Sequence, residues 1–325
     1  MSTSGHVVAL CGGVGGAKLA FGLTRVLEPK NLTLVVNTGD DFEHLGLHIS
    51  PDVDTLAYTL AGLADRERGW GLAGETWHFM GALARLGGES WFNLGDRDLA
   101  MHVERTRRLA AGRTLSQVTA GLTAALGIRH PIIPMSDHPV RTIVQTDGGE
   151  LEFQRYFVAE QCRPVATGVR FEGADRAWIS PALASALVWK KISAVVLCPS
   201  NPHLSVGPIL AIPGLREGLL ALDVPIVAVS PIVGGRALKG PAAKLMAELG
   251  LPPGLAGVAK VYEGLISGLV VDVTDEAEAA PLAAAGLPVR ALRAVMITDE
   301  DRTRLALETL DFARELAARP ARAKP

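Results

Sequence analysis

The stretch that decides the fold is HVVALCGGVGGAKLAFGLTRV, residues 6–26. It opens on His6–Cys11, an apolar run without polar alternation, which is typical of a strand buried on both faces of a sheet. Glycines follow, and the helical pattern Ala17–Glu28 comes after them. A glycine-rich turn between a buried strand and a helix predicts the first βα unit of a parallel sheet.

The same alternation continues through much of the chain. Helix-length segments, among them Pro241–Leu249 and Asp299–Ala317, separate most of the other short apolar runs. Those runs are Leu32–Asn37, Ala194–Cys198, Ile226–Ser230, Leu269–Val273 and Val289–Leu292. Strand–helix–strand repetition predicts right-handed βαβ units, and so an α/β fold with a Rossmann-like, doubly wound, mostly parallel sheet.

One region breaks this rhythm. Residues 52–126 carry only helical patterns, and Asp147-Gly148-Gly149 then predicts a hairpin between Val140–Gln145 and Glu150–Tyr156. We therefore expect a single Rossmann-like domain over residues 1–325. Its core would comprise 1–51 and 190–318, with a helical and β-hairpin insertion at approximately 52–189. The tail Arg319–Pro325 is expected to fray.

Composition excludes several classes of protein. Lys and Arg number 32 against 34 Asp and Glu, a net charge of -2, which argues against a nucleic-acid partner. Hydrophobic residues make up 48% of the chain, enough for a sizeable core, and three cysteines are too few for a disulfide framework. No secretory signal pattern and no membrane-length apolar run occurs, so we expect a reduced, cytoplasmic protein without a membrane partner.

The glycine turn predicts a phosphate site. Backbone N–H groups of Gly12, Gly13, Gly15 and Gly16 can approach an anion closely, with Lys18 as a further contact. A dinucleotide fingerprint would need glycine where Lys18 stands, and a Walker A loop would need Ser or Thr after that lysine. The alternatives are a tight turn without a ligand and, for Lys18, a solvated first-turn lysine.

Carboxylates follow the second predicted strand. Asp40 and Asp41 lie in a loop, and Asp52 and Asp54 open a helix for which Ser50 is the expected N-cap. Both segments belong to the carboxyl edge of the sheet, where open α/β folds bind ligands. Carboxylates beside a phosphate call for a bridging cation, which predicts Mg²⁺. For Asp52 the helix dipole alone is a sufficient explanation.

Three further interpretations stay open at this point. His44 and His48 have the i, i+4 spacing of a helical zinc site, although Gly46 between them weakens a helix. Asp96 is the candidate N-cap of a helix starting near Arg97, and an arginine in a first turn needs an acidic partner or an anionic ligand. The side chains of Trp70, Trp77 and Trp91 either stack on a flat ligand or fill the contacts between small helices.

Three loops after core segments complete the predicted site. Ser200 and Asn201 follow the strand at 194–198, and Gly234 and Gly235 follow the strand at 226–230. A third loop, Lys239–Lys244, has Pro241 at a suitable first helical position. All three are expected at the same sheet edge as Gly12–Gly16, where together they would hold a nucleotide. The segment Met135–Pro139 is expected to add another lobe.

Taken together, these motifs resemble the 2-phospho-L-lactate transferase family, which acts in the biosynthesis of the deazaflavin coenzyme F-420. The resemblance covers roughly residues 6 to 300. The matching stretches, in family order, are Gly12-Gly13-Val14-Gly15-Gly16-Ala17-Lys18, Val35-Val36-Asn37-Thr38-Gly39-Asp40-Asp41, Ile49-Ser50-Pro51-Asp52-Val53-Asp54-Thr55, Leu94-Gly95-Asp96-Arg97-Asp98, Pro134-Met135-Ser136-Asp137, Pro199-Ser200-Asn201-Pro202 and Ser230-Pro231-Ile232.

The resemblance implies a homodimer and a Mg²⁺-dependent reaction. A guanosine diphospho-donor would pass a phospholactyl, phosphoenolpyruvyl or similar group to a ribityl hydroxyl of the deazaflavin Fo, and GMP would leave. The family's Fo-binding acid falls on Asp54, and a second Fo contact, often Lys in the family, falls on Asn93. Trp91, Asp96 and Arg97 are the other expected Fo residues.

Catalysis would then rest on Asp40, Asp41 and Asp54, as metal ligands or as the acceptor of the hydroxyl proton. The acyl group of the donor, of lactate, enolpyruvate or glycerate type, stays open. The alternative function is that of a non-catalytic regulatory protein from a related UDP-sugar-binding branch. The Trp-rich segment before Leu94–Asp98 argues against that alternative, because a sugar-nucleotide sensor has no need of an Fo pocket. An NAD-dependent oxidoreductase is disfavoured by the failed fingerprint.

Overall fold

A computed structural model of the protein describes residues 5–237 and 242–318, and the following elements lie within them. The strands are β1 His6–Cys11, β2 Leu32–Val36, β3 Phe42–His44, β4 Leu47–Ile49, β5 Ile132–Pro134, β6 Arg141–Thr146, β7 Gly149–Glu152, β8 Ala166–Glu172, β9 Ile192–Leu197, β10 Ile226–Val229, β11 Ile232–Val233, β12 Arg236–Ala237, β13 Gly268–Asp272 and β14 Val289–Leu292. The helices are α1 Gly13–Val26, α2 Pro51–Leu60, α3 His78–Arg85, α4 Asp98–Ala110, α5 Leu115–Ala125, α6 Pro181–Trp189, α7 Gly207–Leu210, α8 Leu215–Ala221, α9 Ala242–Glu248, α10 Gly254–Val261, α11 Glu276–Ala284 and α12 Asp299–Ala317.

The centre of the molecule is a parallel sheet of seven strands in the order β14-β13-β10-β9-β1-β2-β5. Every residue of β1 and β2 is buried, as their unbroken apolar pattern predicted. β1 lies between β2 and β9, so the strand order reverses there. The predicted doubly wound α/β fold is therefore confirmed, and the reversal marks the edge at which such sheets bind ligands.

Helix α1 follows the turn after β1 and packs between α2 and α12 on one face of the sheet. The crossing with α12 is tight: a Cβ at Gly22 would lie 2.0 Å from the carbonyl oxygen of Arg302. On the other face, residues of α7, α8 and α10 join the apolar core. Packing against these neighbours fixes the orientation of α1. It therefore also fixes the positions of Gly12 and Gly13 at the start of the helix.

The region at 52–189 differs from the expected insertion in one respect. It contains the expected helices α2–α5 and the hairpin β6–β7, but it also supplies β5, which pairs with β2 at the edge of the core sheet. A third strand, β8, pairs with β6. Helix α12 has the predicted bounds, while α1 begins at Gly13 rather than at Ala17. The predictions for Lys239–Pro241 and for the tail Arg319–Pro325 lie outside the described residues.

Within the described ranges, no single helix is long and apolar enough to cross a membrane. Two successive segments, Pro202–Leu210 and Leu215–Ala221, pass that test only as a pair bent by 81°. Side chains from both segments belong to the apolar core.

Candidate active site

The turns after β1 and β9 are held against each other. The Ser200 hydroxyl donates to the Gly12 carbonyl oxygen at 2.8 Å, and the Gly12 N–H donates back to Ser200 Oγ at 3.3 Å. A Cβ at Gly15 would lie 2.3 Å from the carbonyl oxygen of Pro199, and one at Gly16 would lie 2.7 Å from Ser200 Oγ. Close packing therefore accounts for Gly15 and Gly16, which belong to helix α1 and not to a free loop.

Asp52 joins three segments of this edge. Its Oδ1 accepts a hydrogen bond from the Gly13 N–H at 2.8 Å, and its Oδ2 accepts one from Asn37 Nδ2 at 2.9 Å. Gly13 has a φ of 60°, a backbone conformation that glycine adopts without strain. Asp52 thus does more than favour a helix terminus: its carboxylate ties the start of α2 to the start of α1 and to the end of β2.

Asp40 and Asp41 are buried at the same edge. Asp41 Oδ2 accepts a hydrogen bond from Ser50 Oγ at 2.8 Å and lies 3.1 Å from His48 Nε2. Ser50 occupies the expected N-cap position of α2, but its hydroxyl is directed to Asp41 and not to the helix. Oδ1 of Asp40 and Oδ1 of Asp41 are both buried, and neither has a hydrogen-bond partner among the described residues.

Burial and mutual repulsion disfavour the charged forms of Asp40 and Asp52. Burial raises the pKa of Asp40 well above its ordinary value, and the negative charge of Asp52 raises it further. Burial also raises the pKa of Asp52, to about 6, against the opposing effect of its hydrogen bonds from Asn37 and Gly13. A cluster of buried acids in which two oxygens lack a partner is the environment that a divalent cation stabilises. Two carboxylate oxygens without partners among the described residues, Oδ1 of Asp40 and Oδ1 of Asp41, are therefore the candidate Mg²⁺ ligands at this edge.

Asp54, expected with Asp40 and Asp41 as a metal ligand or proton acceptor, is paired with a buried arginine. Arg105 of α4 binds both of its oxygens, with Nη1 at 3.1 Å from Oδ2, and the two side chains are 7% and 1% exposed. His102 Nδ1 lies 3.6 Å from the same carboxylate and His102 Nε2 lies 3.2 Å from Asp98 Oδ2. Asp54, Asp98 and His102 have metal-ligand spacing, but the guanidinium already supplies the positive charge that a cation would bring.

The segment Leu94–Asp98 organises the insertion. Asp96 accepts hydrogen bonds from the N–H groups of His78 and Phe79, each at 3.0 Å, so it caps α3 and not the helix that follows it in sequence. The start of α4 is instead capped by Glu75, which accepts from the N–H of Arg97 at 2.7 Å. A backbone carbonyl stands where an acidic partner of Arg97 was expected: Nη1 donates to the Ala73 carbonyl oxygen at 2.8 Å, and a ligand contact of Arg97 stays a prediction.

Trp91 packs inside an aromatic cluster. Its ring contacts Phe42, His44 and Phe92 at centroid distances between 5.1 and 5.8 Å, and the guanidinium of Arg155 lies 4.2 Å from its centroid. Asn93 follows this cluster and is exposed. The packing alternative therefore describes Trp91, while its role and that of Asn93 in binding Fo stay predictions.

The two histidines considered for zinc do not lie on a helix. His44 is in β3 and His48 in β4, two strands of one hairpin. His48 contacts Asp41, whereas His44 belongs to the aromatic cluster and burial lowers its pKa. The helical spacing on which the zinc hypothesis depended is therefore wrong.

The loops after β9, β10 and β5 differ in the groups that they leave available for a ligand. Asn201 Oδ1 accepts from the N–H groups of His203 and Leu204, while its Nδ2 is buried without a partner among the described residues. The N–H groups of Gly234 and Gly235 donate to Asp275 at 2.9 Å each, so a phosphate there would have to displace that carboxylate. In the expected lobe, Ser136 and Asp137 hold nearby backbone, through the Trp178 carbonyl and the Ser116 N–H.

Lys18 lies one turn into α1, where its Nζ donates to the Met296 carbonyl oxygen at 3.0 Å. It lines a cleft between α1, α2 and the start of α12, together with Trp70 and Arg302. Neither Arg302 nor Arg105 was predicted as a site residue, because neither belongs to a motif. The role of Asn37, which donates a hydrogen bond to Asp52, was not predicted either. A dinucleotide-binding enzyme has an acid at this position, so the asparagine was a signal in the sequence.

The chain is similar to known proteins over most of its length. The family model of the 2-phospho-L-lactate transferase CofD matches residues 7–299. The chain is 40% identical over 322 residues to a phosphoenolpyruvate transferase of Streptomyces griseus, with 96% of this chain and 100% of that protein covered. It is 42% identical over 320 residues to a phosphoenolpyruvate transferase of Streptomyces avermitilis (96% and 99% covered), and 38% identical over 272 residues to a 2-phospho-L-lactate transferase of Methanosarcina mazei (84% and 88% covered).

The fold is also that of a solved structure. A protein of the upf0052 family from Bacillus halodurans superposes with a TM-score of 0.62 over 95% of this chain and 100% of that chain, at 14% sequence identity. At this identity the likeness concerns the fold alone. The family match and the relatives carry more, since they span nearly the whole sequence. The chain therefore belongs to the 2-phospho-L-lactate transferase CofD family, whose members are transferases of coenzyme F-420 biosynthesis.

Proposed function

We propose that this protein transfers a phospho-acyl group from a guanosine diphospho-donor to the ribityl hydroxyl of Fo, releases GMP, and requires Mg²⁺. The observation that carries the proposal is the buried acid cluster of Asp40, Asp41 and Asp52 beside the start of α1. It combines two unpartnered carboxylate oxygens with a glycine turn at the strand-order reversal.

The start of α1 suits the diphosphate. The first N–H groups of a helix have no partner within it and carry partial positive charge. The first turn of α1 contains no acidic residue that would repel a phosphate. Because the Gly13 N–H is bound to Asp52, the anion would use the amides that follow, those of Val14 and Gly15. Ser200 and Asn201, from the neighbouring strand end, would complete this side of the site.

Asp40 and Asp41 are the proposed magnesium ligands, through the oxygens that lack partners, and Asp52 adds negative charge beside them. When bound there, Mg²⁺ would neutralise charge on the diphosphate. Asp54 leaves the proposed ligand set, because Arg105 binds both of its oxygens. A homodimer stays part of the proposal by family resemblance.

The reaction requires the protein to position the two substrates and to accept a proton from the ribityl hydroxyl. The ribityl oxygen attacks a phosphorus of the diphosphate, a new P–O bond forms, and the bond to GMP breaks. The proposal assigns the hydroxyl proton to a carboxylate of the acid cluster, because these carboxylates lie beside the proposed position of the diphosphate. Buried hydrogen bonds keep the acceptor carboxylates and the glycine turn in fixed register.

The test is a transfer assay followed by mass spectrometry of Fo. The protein is incubated with Fo, Mg²⁺ and guanosine diphospho-donors that carry lactate, enolpyruvate or glycerate. A donor-dependent mass gain on Fo, lost with EDTA, is expected, and absence of any gain with all three donors would refute the transferase.

A binding assay separates the alternative function. GDP or GMP should raise the melting temperature, since a ligand that binds only the folded state stabilises it. Stabilisation by UDP-sugars and not by guanine nucleotides would favour the sugar-nucleotide-binding alternative.

A further inference from the structure

The hairpin β3–β4 has two faces, and each contacts a different part of the molecule. In its register Phe42 pairs with Ile49 and Glu43 pairs with His48. Phe42 and Ile49 belong to a buried apolar cluster. Successive side chains of a strand point to opposite faces, so His48 lies on the face away from that cluster. Ser50, two positions after His48, follows on the same face.

This second face meets Asp41, which directly precedes β3. Ser50 Oγ donates to Asp41 Oδ2 at 2.8 Å, and His48 Nε2 lies 3.1 Å from the same oxygen. Because an ionised carboxylate only accepts hydrogen bonds, Nε2 is the donor in this pair. Oδ1 of Asp41 is buried and has no hydrogen-bond partner among the described residues. The two oxygens of one carboxylate therefore have different surroundings.

We propose that His48 is a positioning residue for Asp41: it holds Oδ2 and thereby leaves Oδ1 available to Mg²⁺. The inference rests on the proposed function. A carboxylate without hydrogen bonds turns about its bond to Cβ and presents either oxygen. Donors at one oxygen select one orientation before the ion arrives, as residues around metal ligands commonly do. The Asp41 side chain is 1% exposed, so little water is available to replace a lost donor.

Helix α4 holds the backbone of His48. The His48 N–H donates to Thr106 Oγ1 at 2.8 Å, and Arg105 Nη1 donates to the His48 carbonyl oxygen at 3.4 Å. His48 is therefore fixed by α4 at its backbone and by Asp41 at its Nε2. Arg105 is also the partner of Asp54. One helix thus places Asp54 directly and Asp41 through His48.

A purely structural role, closing the hairpin onto α4, is the competing explanation, so the experiment measures metal binding without substrates and at one pH. Mn²⁺, which takes the same oxygen ligands as Mg²⁺, is titrated by electron paramagnetic resonance against the wild type, His48→Leu and His48→Gln. Glutamine keeps an N–H donor that can reach Oδ2, and leucine has none. The ligand-free melting temperature reports whether each variant folds.

His130→Leu is the matched control. His130 Nε2 lies 2.9 Å from the Leu27 carbonyl oxygen, so this variant also removes one histidine hydrogen bond. His130 precedes β5, at the amino edge of the sheet and away from the acid cluster. Should His48→Leu not fold, His48→Met takes its place with the same expectations, because its flexible thioether also lacks an N–H donor.

We expect His48→Leu to weaken Mn²⁺ binding by about 10–100-fold, the scale of a lost contact to a metal ligand. His48→Gln and His130→Leu should bind Mn²⁺ as the wild type does. A folded His48→Leu protein with wild-type affinity for Mn²⁺ would overturn the proposal. An equal loss in His48→Gln and His48→Leu would overturn it as well, since the hydrogen bond would then not be the cause. A wild type that binds no Mn²⁺ would instead refute the metal requirement of the proposed function.

Discussion

Asp52 and Gly13 are joined by a hydrogen bond of 2.8 Å between the carboxylate Oδ1 and the backbone nitrogen. Through this contact the first turn of α2 holds the first turn of α1, and Asn37 fixes the other carboxylate oxygen. The acid cluster and the glycine turn are therefore one structural unit. A substitution in either part should therefore affect both metal binding and nucleotide binding.

The pH dependence of stability should carry the signature of Asp52. Its pKa is about 6 in the folded protein, against about 3.9 for an aspartate in an unfolded chain. A group whose folded pKa is raised contributes stability that is fully present below pH 4 and is lost as the pH rises through 6. In EDTA, the melting temperature of the wild type relative to Asp52→Asn should therefore fall between pH 4 and 6 and level off above. Asp175→Asn, at an exposed aspartate, is the control; a flat wild-type minus Asp52→Asn difference would contradict the prediction.

Asp40→Asn should separate metal binding from folding. The substitution keeps the size of a buried side chain and removes a charge that neighbouring acids disfavour. Without metal, the melting temperature should be unchanged or higher than in the wild type. The rise that Mg²⁺ produces in the wild type should be lost, and turnover should fall on the order of 100-fold, as when a buried electrostatic contact to a transition state is removed. An undiminished response to Mg²⁺ would exclude Asp40 as a ligand.

Gly15→Ala should damage the nucleotide site through packing. Its Cβ would lie 2.3 Å from the Pro199 carbonyl oxygen, so the two turns would have to separate. We expect a lower melting temperature and a smaller GDP-induced rise. Gly218→Ala is the matched control, because Gly218 lies within α8 and a Cβ there would meet no atom within 4 Å. That variant should be unchanged or stabilised by up to about 1 kcal/mol. Equal behaviour of the two variants would show that the contact with Pro199 does not constrain the site.

The core strands were predictable because their pattern is unambiguous: fully buried parallel strands need uninterrupted apolar runs. Most of the strands that escaped prediction are short, although β8 spans seven residues. β5 has three residues and ends in Pro134, and proline is usually a signal against a strand. The hairpin β3–β4 turns at Leu45 and Gly46, with φ of 53° and 73°. Leucine is uncommon in that conformation, so only half of the turn signal was present in the sequence.

The aspartates show a different limit of prediction from sequence. The motif predicted acids at the carboxyl edge, and Asp40 and Asp41 are there. Asp52 and Asp54 differ by two helical positions, about 200° around the axis, so only one of them can face the cluster. Which one it is depends on where α4 packs, and no local pattern encodes that. Arg105, which binds Asp54, lies 51 residues away in sequence.

Asp54→Asn should therefore act first on stability. It leaves the Arg105 guanidinium, 1% exposed, without its partner charge, and breaking a buried pair costs about 3–5 kcal/mol. Arg105→Met should be similarly destabilising, because it strands the carboxylate. The double variant Asp54→Leu/Arg105→Met replaces both charges by apolar side chains and should recover most of the lost melting temperature. Urea or thermal unfolding of the wild type, Asp54→Leu, Arg105→Met and the double variant forms a double-mutant cycle, and a coupling near zero would contradict the buried pair. Fo titration of the double variant then decides the role of Asp54. If the restored protein binds Fo as the wild type does, Asp54 positions α2 and does not contact the substrate. A stable double variant that retains the GDP response but no longer binds Fo would make Asp54 the acceptor-binding acid that the family motif implies.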